Sequence, residues 1–115
     1  MNTRTLRVAI IVLTLATAII HGIFLNMRMG RIDPAFTLNA IGYLGLLVAL
    51  FGGVPFLRGR ERLVHYVFMA FAAITIVAYF AVSTEAFTDV LGLATKAIEV
   101  VLILLLWQHL RATTQ

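Results

Sequence analysis

A chain of 115 residues that is 62% hydrophobic and only 12% charged is not an ordinary soluble domain, since those run at about 45–50% apolar and about 25% charged. One small core cannot hide so much apolar surface, so lipid has to be the solvent for most of it. The formal charge of +4 does not point to nucleic acid, because the arginines stand at the ends of apolar runs and no basic stretch is interleaved with aromatics, while the absence of cysteine excludes disulfides, thiolate chemistry and cysteine-ligated metals.

The first apolar stretch covers roughly 6–27. Within it Ala16-Thr17-Ala18 imitates a signal-peptide cleavage site after a basic start, but the apolar run continues past that point, so a retained span is expected. The second stretch, 35–57, opens at Asp33-Pro34, a good helix start with Asp as N-cap and Pro at the first helical position. The third, 63–83, follows the charged loop Arg58-Gly59-Arg60-Glu61-Arg62, and the fourth, 89–110, follows the polar segment Thr84-Glu85-Ala86-Phe87-Thr88-Asp89, which holds N-cap candidates. Runs of about 20 residues suffice to cross a hydrocarbon core of about 30 Å, and backbone groups in lipid must be paired within the segment, so all are expected to be helices. Short connections make consecutive helices antiparallel neighbours. The predicted fold is all-α: one polytopic membrane domain over 1–115, an antiparallel bundle of four transmembrane helices.

Arg4, Arg7, Arg58, Arg60, Arg62 and Arg111 fall on one side of such a bundle, against Arg28 and Arg31 with Asp33, Glu85 and Asp89 on the other. The positive-inside rule then places both termini in the cytoplasm, and a prokaryotic cytoplasmic (inner) membrane suits this topology. On the second helix Gly42, Gly45, Ala49 and Gly52 recur at three- and four-residue steps. Such small residues let another helix approach closely, either inside the bundle or in a second chain.

Every predicted helix carries polar residues at membrane depth. Counting at about 1.5 Å per residue, His21, Asn39, Tyr43, Thr75, Tyr79, Lys96 and Glu99 all lie in the outer half. A charge facing lipid costs several kcal/mol, so Lys96 and Glu99 should point inward. Three residues apart, they share a helical face and can pair, with His21 as a third member and Thr14 and Thr17 continuing its stripe. The cluster is open to two readings: a network that fixes helix register without chemistry, or a ligand, proton or partner site.

His65 and His109 are expected near the cytoplasmic interface, beside Tyr66 and Trp107. Paired histidines at one depth are what a b-type haem needs, but an interfacial, amphipathic role like that of an aromatic belt fits better, and no cofactor is predicted. No nucleophile stands at recognisable spacing from a base, and no metal-ligand spacing surrounds the carboxylates. No enzymatic activity and no metal are expected. Phe24, Phe36, Phe51, Phe56, Phe68, Phe71, Phe80 and Phe87 either line a groove for a lipid, quinone or pigment or simply pack.

Leu38-Asn39-Ala40-Ile41-Gly42-Tyr43-Leu44-Gly45 and Thr95-Lys96-Ala97-Ile98-Glu99, together with His21, resemble a family of small, uncharacterised four-helix membrane proteins of archaea and bacteria, catalogued as a domain of unknown function. The resemblance implies the four-helix fold and no activity. Small multidrug resistance transporters are similar in length and helix number. Their coupling glutamate lies in the middle of the first helix, where this chain has no carboxylate, so proton–drug antiport is not implied. The expected role is a non-catalytic membrane subunit or interaction module, holding a lipid or apolar cofactor, with the bilayer and other membrane chains or its own copies as partners. The alternative is a small homo-oligomeric transporter or channel with an outward-facing site at His21, Lys96 and Glu99.

Overall fold

The structure is a computed structural model that describes residues 2–24, 26, 27, 30, 34–82 and 88–113. Arg28, Arg31, Asp33, Thr84, Glu85, Ala86 and Phe87 lie outside the described residues, and with them the cap expected at Asp33 and most of the charge expected at one end of the bundle. Among the described residues there are four helices long and apolar enough to cross a membrane. They are α1 (Thr3–Ile19, continued by a π-helical turn Ile20–Phe24), α2 (Pro34–Phe51), α3 (Glu61–Val82) and α4 (Val90–Thr113).

Local chemistry sets the ends of these helices. Asn2 caps α1, its Oδ1 accepting from the Thr5 N–H at 2.8 Å, and Asp89 Oδ1 accepts from the Gly92 N–H at 3.3 Å at the start of α4. Both satisfy amides that the first helical turn leaves unpaired. The second helix ends at Phe51, well short of the position 57 expected from hydropathy. Gly53 takes a left-handed φ of 67°, a conformation open to glycine at little cost, and Val54 is extended before Pro55, as a residue preceding proline prefers. The apolar residues Pro55–Leu57 form a 3-10 turn instead. The apolar run continues past Phe51, but backbone geometry ends the helix there.

The helices form an antiparallel ring. His65, at the start of α3, meets His109, at the end of α4, while Gly92, at the start of α4, lies under Tyr79, near the end of α3. Packing is closest for α4 against α1 and α3, followed by α1 against α2, and is sparsest between α2 and α3. Arg4, Arg7, Arg58, Arg60, Arg62 and Arg111 therefore gather at one end, where α1 and α3 begin and α2 and α4 finish.

The sequence of α4 explains its central place. Gly92, Thr95, Lys96, Glu99, Leu102, Leu106, His109 and Leu110 are all buried and follow the three- and four-residue rhythm of one helical face. On α1, Leu6, Ile10, Thr14, Thr17 and His21 form the matching stripe. The outer faces carry Val12, Leu15, Ile41, Val48, Ile74, Val77 and Leu104, all exposed. This apolar exterior around a partly polar interior suits a chain whose solvent is lipid. Between the polar levels, Leu6, Ile10, Phe68, Ala72, Leu102 and Leu106 form a fully buried apolar layer.

Phe68 is fully buried in this layer. Phe68→Ala is expected to lower stability by about 3–5 kcal/mol through lost contacts and a residual cavity. Circular dichroism during thermal unfolding in a mild detergent checks this, and an unchanged midpoint would mean that the layer is not tightly packed.

Candidate functional site

Lys96 and Glu99 both project into the bundle, at 5% and 0% exposure, and form an ion pair through Lys96 Nζ and Glu99 Oε1. Each buried ion loses several kcal/mol of hydration, which attraction repays only when the remaining polar valences are met. The second carboxylate oxygen, Oε2, accepts a hydrogen bond from the Tyr43 hydroxyl of α2. The ammonium lies 5.2 Å from the centroid of the Tyr79 ring of α3, whose π face attracts a cation. Three helices thus complete one pair. A Cβ on Gly92 would overlap the Tyr79 ring, so a glycine at this position is what lets Tyr79 lie beside Lys96.

Tyr43 is fully buried and is held by an edge-on contact with Phe71 at 4.9 Å between centroids. A Cβ on Gly42 would overlap that same Phe71 ring. Gly42 is therefore a true close-approach site, whereas Gly45 is exposed with open space around it, Gly52 lies past the end of α2, and Ala49 is half-buried. The small-residue stripe does not act as one contact face within this chain.

Next to the pair, the hydrogen bonds settle which atoms are spoken for. His21 Nδ1 lies 2.8 Å from the Thr17 carbonyl. A carbonyl only accepts, so Nδ1 carries the proton and Nε2 keeps a lone pair. The Thr75 hydroxyl donates to the Phe71 carbonyl at 2.9 Å and accepts from Asn39 Nδ2 at 2.9 Å. That orients the amide and leaves Asn39 Oδ1 buried without a hydrogen-bond partner. Threonines that donate back to the preceding turn, as Thr14 and Thr95 also do, keep hydroxyls satisfied inside apolar helices.

These side chains surround a cleft of about 620 Å³. His21, Asn39, Thr75, Tyr79 and Lys96 line it, together with Phe36, Phe71 and the exposed Leu38, Ile74 and Ala78. Leu38 on α2 and Ile74 on α3 mark its mouth, where those two helices pack most sparsely. The structure thus brings five of the seven expected polar residues to one cleft wall, with Tyr43 and Glu99 directly behind Lys96. Phe36 and Phe71 line the cleft and Phe68 is core, whereas Phe24, Phe56 and Phe80 are exposed.

At the arginine-rich end, His65 and His109 are buried against each other, at 1% and 8% exposure. Their rings stack 5.0 Å apart, with His65 Nε2 and His109 Nδ1 only 2.8 Å apart. They bond each other directly and do not face one another across a gap. His65 Nδ1 donates to the Glu61 carbonyl at 2.7 Å. For two neutral rings the chain has one direction, with His109 Nδ1–H donating to His65 Nε2. The Phe51 ring meets His109 edge-on at 5.5 Å. Tyr66 and Trp107 remain exposed as expected. Sequence reasoning missed this pairing because the partners are 44 residues apart and share no local pattern.

No family model, curated protein or solved structure matches this chain.

Lys96→Met alone leaves a buried carboxylate uncompensated and is expected to cost about 3–5 kcal/mol, while Lys96→Met with Glu99→Leu should recover most of that loss. Unfolding midpoints of both variants in detergent provide the check. Gly92→Ala, which pushes against Tyr79, is expected to destabilise by about 1–3 kcal/mol, read in the same assay.

Proposed function

We propose that this protein is a non-catalytic module of the cytoplasmic membrane that holds an amphiphile drawn from the bilayer in the cleft between α2 and α3. The observation that carries this reading is the composition of the cleft: apolar walls and mouth from Phe36, Leu38, Phe71 and Ile74, and a polar inner surface from His21, Asn39 and Lys96. A volume of about 620 Å³ falls within the range of small-molecule sites, about 300–1,000 Å³, which pair apolar linings with a few convergent polar groups. Mouth residues exposed to the lipid side let a chain enter laterally, without passing through water. The six arginines at one bundle end support a cytoplasmic location for both termini.

Nothing in the ion pair calls for chemistry on a substrate. Glu99 is engaged by Lys96 and Tyr43 and acts as a counterion behind the cleft. Holding, presenting or sensing an amphiphile, alone or for a neighbouring membrane chain, is the role that fits.

Native mass spectrometry after gentle extraction tests the reading. The wild type is expected to carry one non-covalent adduct of lipid-like mass. Ala78→Phe, which narrows the cleft from an exposed wall position, should lose that adduct at unchanged helicity. A wild type that stays unliganded when membrane lipids are supplied in excess would refute it.

A further inference from the structure

The cleft presents an unusual balance of free valences. His21 is 5% exposed, and its Nδ1–H is committed to the Thr17 carbonyl, so Nε2 is a lone pair with no hydrogen-bond donor among the described residues. Asn39 Oδ1 is a buried acceptor without a hydrogen-bond partner, and His21, with its free Nε2, lines the same cleft. Opposite these acceptors, Lys96 has Glu99 as its one acceptor among the described residues, with the Tyr79 ring beside it. An ammonium has three N–H donors, so donor capacity remains on the cleft side.

A buried acceptor left unpaired is costly, and the cost is relieved only by a group that brings a hydrogen. Two unpaired acceptors, one of them buried, and a spare donor ask for a head group with hydroxyls and at least one acceptor oxygen. They do not ask for an anion. Glu99 already balances the charge of Lys96, and a carboxylate or phosphate would set its lone pairs against those of His21 and Asn39, with a negative charge near Glu99. A hydrocarbon or an ester without donors would leave both acceptors bare.

We propose that the cleft selects a neutral amphiphile whose head carries hydroxyl donors beside an acceptor oxygen, with the hydroxyls on His21 Nε2 and Asn39 Oδ1 and the acceptor oxygen on Lys96. Acylglycerols and quinols share this chemistry. The proposal rests on the cleft being a ligand site, and the test separates the two claims.

Binding is measured by native mass spectrometry from an amine-oxide detergent, whose head has no hydroxyl, with three probes of the same acyl chain: monooleoylglycerol, methyl oleate and oleate. A short-chain quinol and its oxidised quinone form a further pair. Monooleoylglycerol is expected to bind about tenfold or more tighter than methyl oleate or oleate, the scale set by one or two added hydrogen bonds. Among hydroxylated heads, a quinol outbinding its quinone and monooleoylglycerol would name the quinol as source, and the reverse order the acylglycerol. His21→Phe should bring monooleoylglycerol down to the level of methyl oleate while leaving methyl oleate binding intact, which also reports that the cleft is still folded. Should that variant fail to fold, Asn39→Leu carries the same expectation. Equal binding of all acyl probes, or preference for oleate, overturns the head-group selection and leaves the cleft as a ligand site. Binding of none of the probes overturns both.

Discussion

Two opposite charges three residues apart on an apolar helix leave this chain few ways to fold. Lys96 and Glu99 cannot face hydrocarbon, so α4 has to turn that face inward, and each neighbouring helix has to bring something to meet it. Tyr43 supplies a hydroxyl to the carboxylate from α2, Tyr79 supplies a ring to the ammonium from α3, and His21 of α1 stands beside them along the cleft. The glycines at 42 and 92 serve the same demand by letting aromatic rings come close enough. Without a hydrophobic drive between helices in lipid, a shared polar centre of this kind is an effective way to define which helices meet and in what register.

Much of this was legible in the chain itself, because polar residues in an apolar run stand out. The four helices, their antiparallel order and the seven-residue cluster all follow from hydropathy and from the cost of polar groups in lipid. What could not be read were features set by geometry between distant segments. The stop of α2 at Phe51 depends on the left-handed Gly53, which a hydropathy count passes over. The glycine series on α2 looks uniform in sequence, yet Gly42 alone has a neighbour's ring above it. His65 and His109 each stand near a helix end, but the stacking that buries both joins residues 44 apart in the chain and has no local signature. The shape of the cleft was also hidden, since it arises from sparse packing between α2 and α3 and not from any local pattern.

The two polar centres are built on different logic. Around Lys96 the valences are incomplete, with unused acceptors on His21 and Asn39 beside an accessible cavity. Around His65 the bonds run in a line from the Glu61 carbonyl through both imidazoles, with Phe51 covering one ring. The stacked pair ties the end of α4 to the start of α3.

The layer of Leu6, Ile10, Phe68, Leu102 and Leu106 that separates the two centres has an electrical consequence. Polarisable groups at either end shorten the distance over which a membrane voltage falls, so the field concentrates across the dry layer between them. One elementary charge carried through 100 mV is worth about 2.3 kcal/mol, and these five residues carry none. In a bundle that spans a membrane, this apolar layer would stand between a polar cavity at one end and an arginine-ringed face at the other.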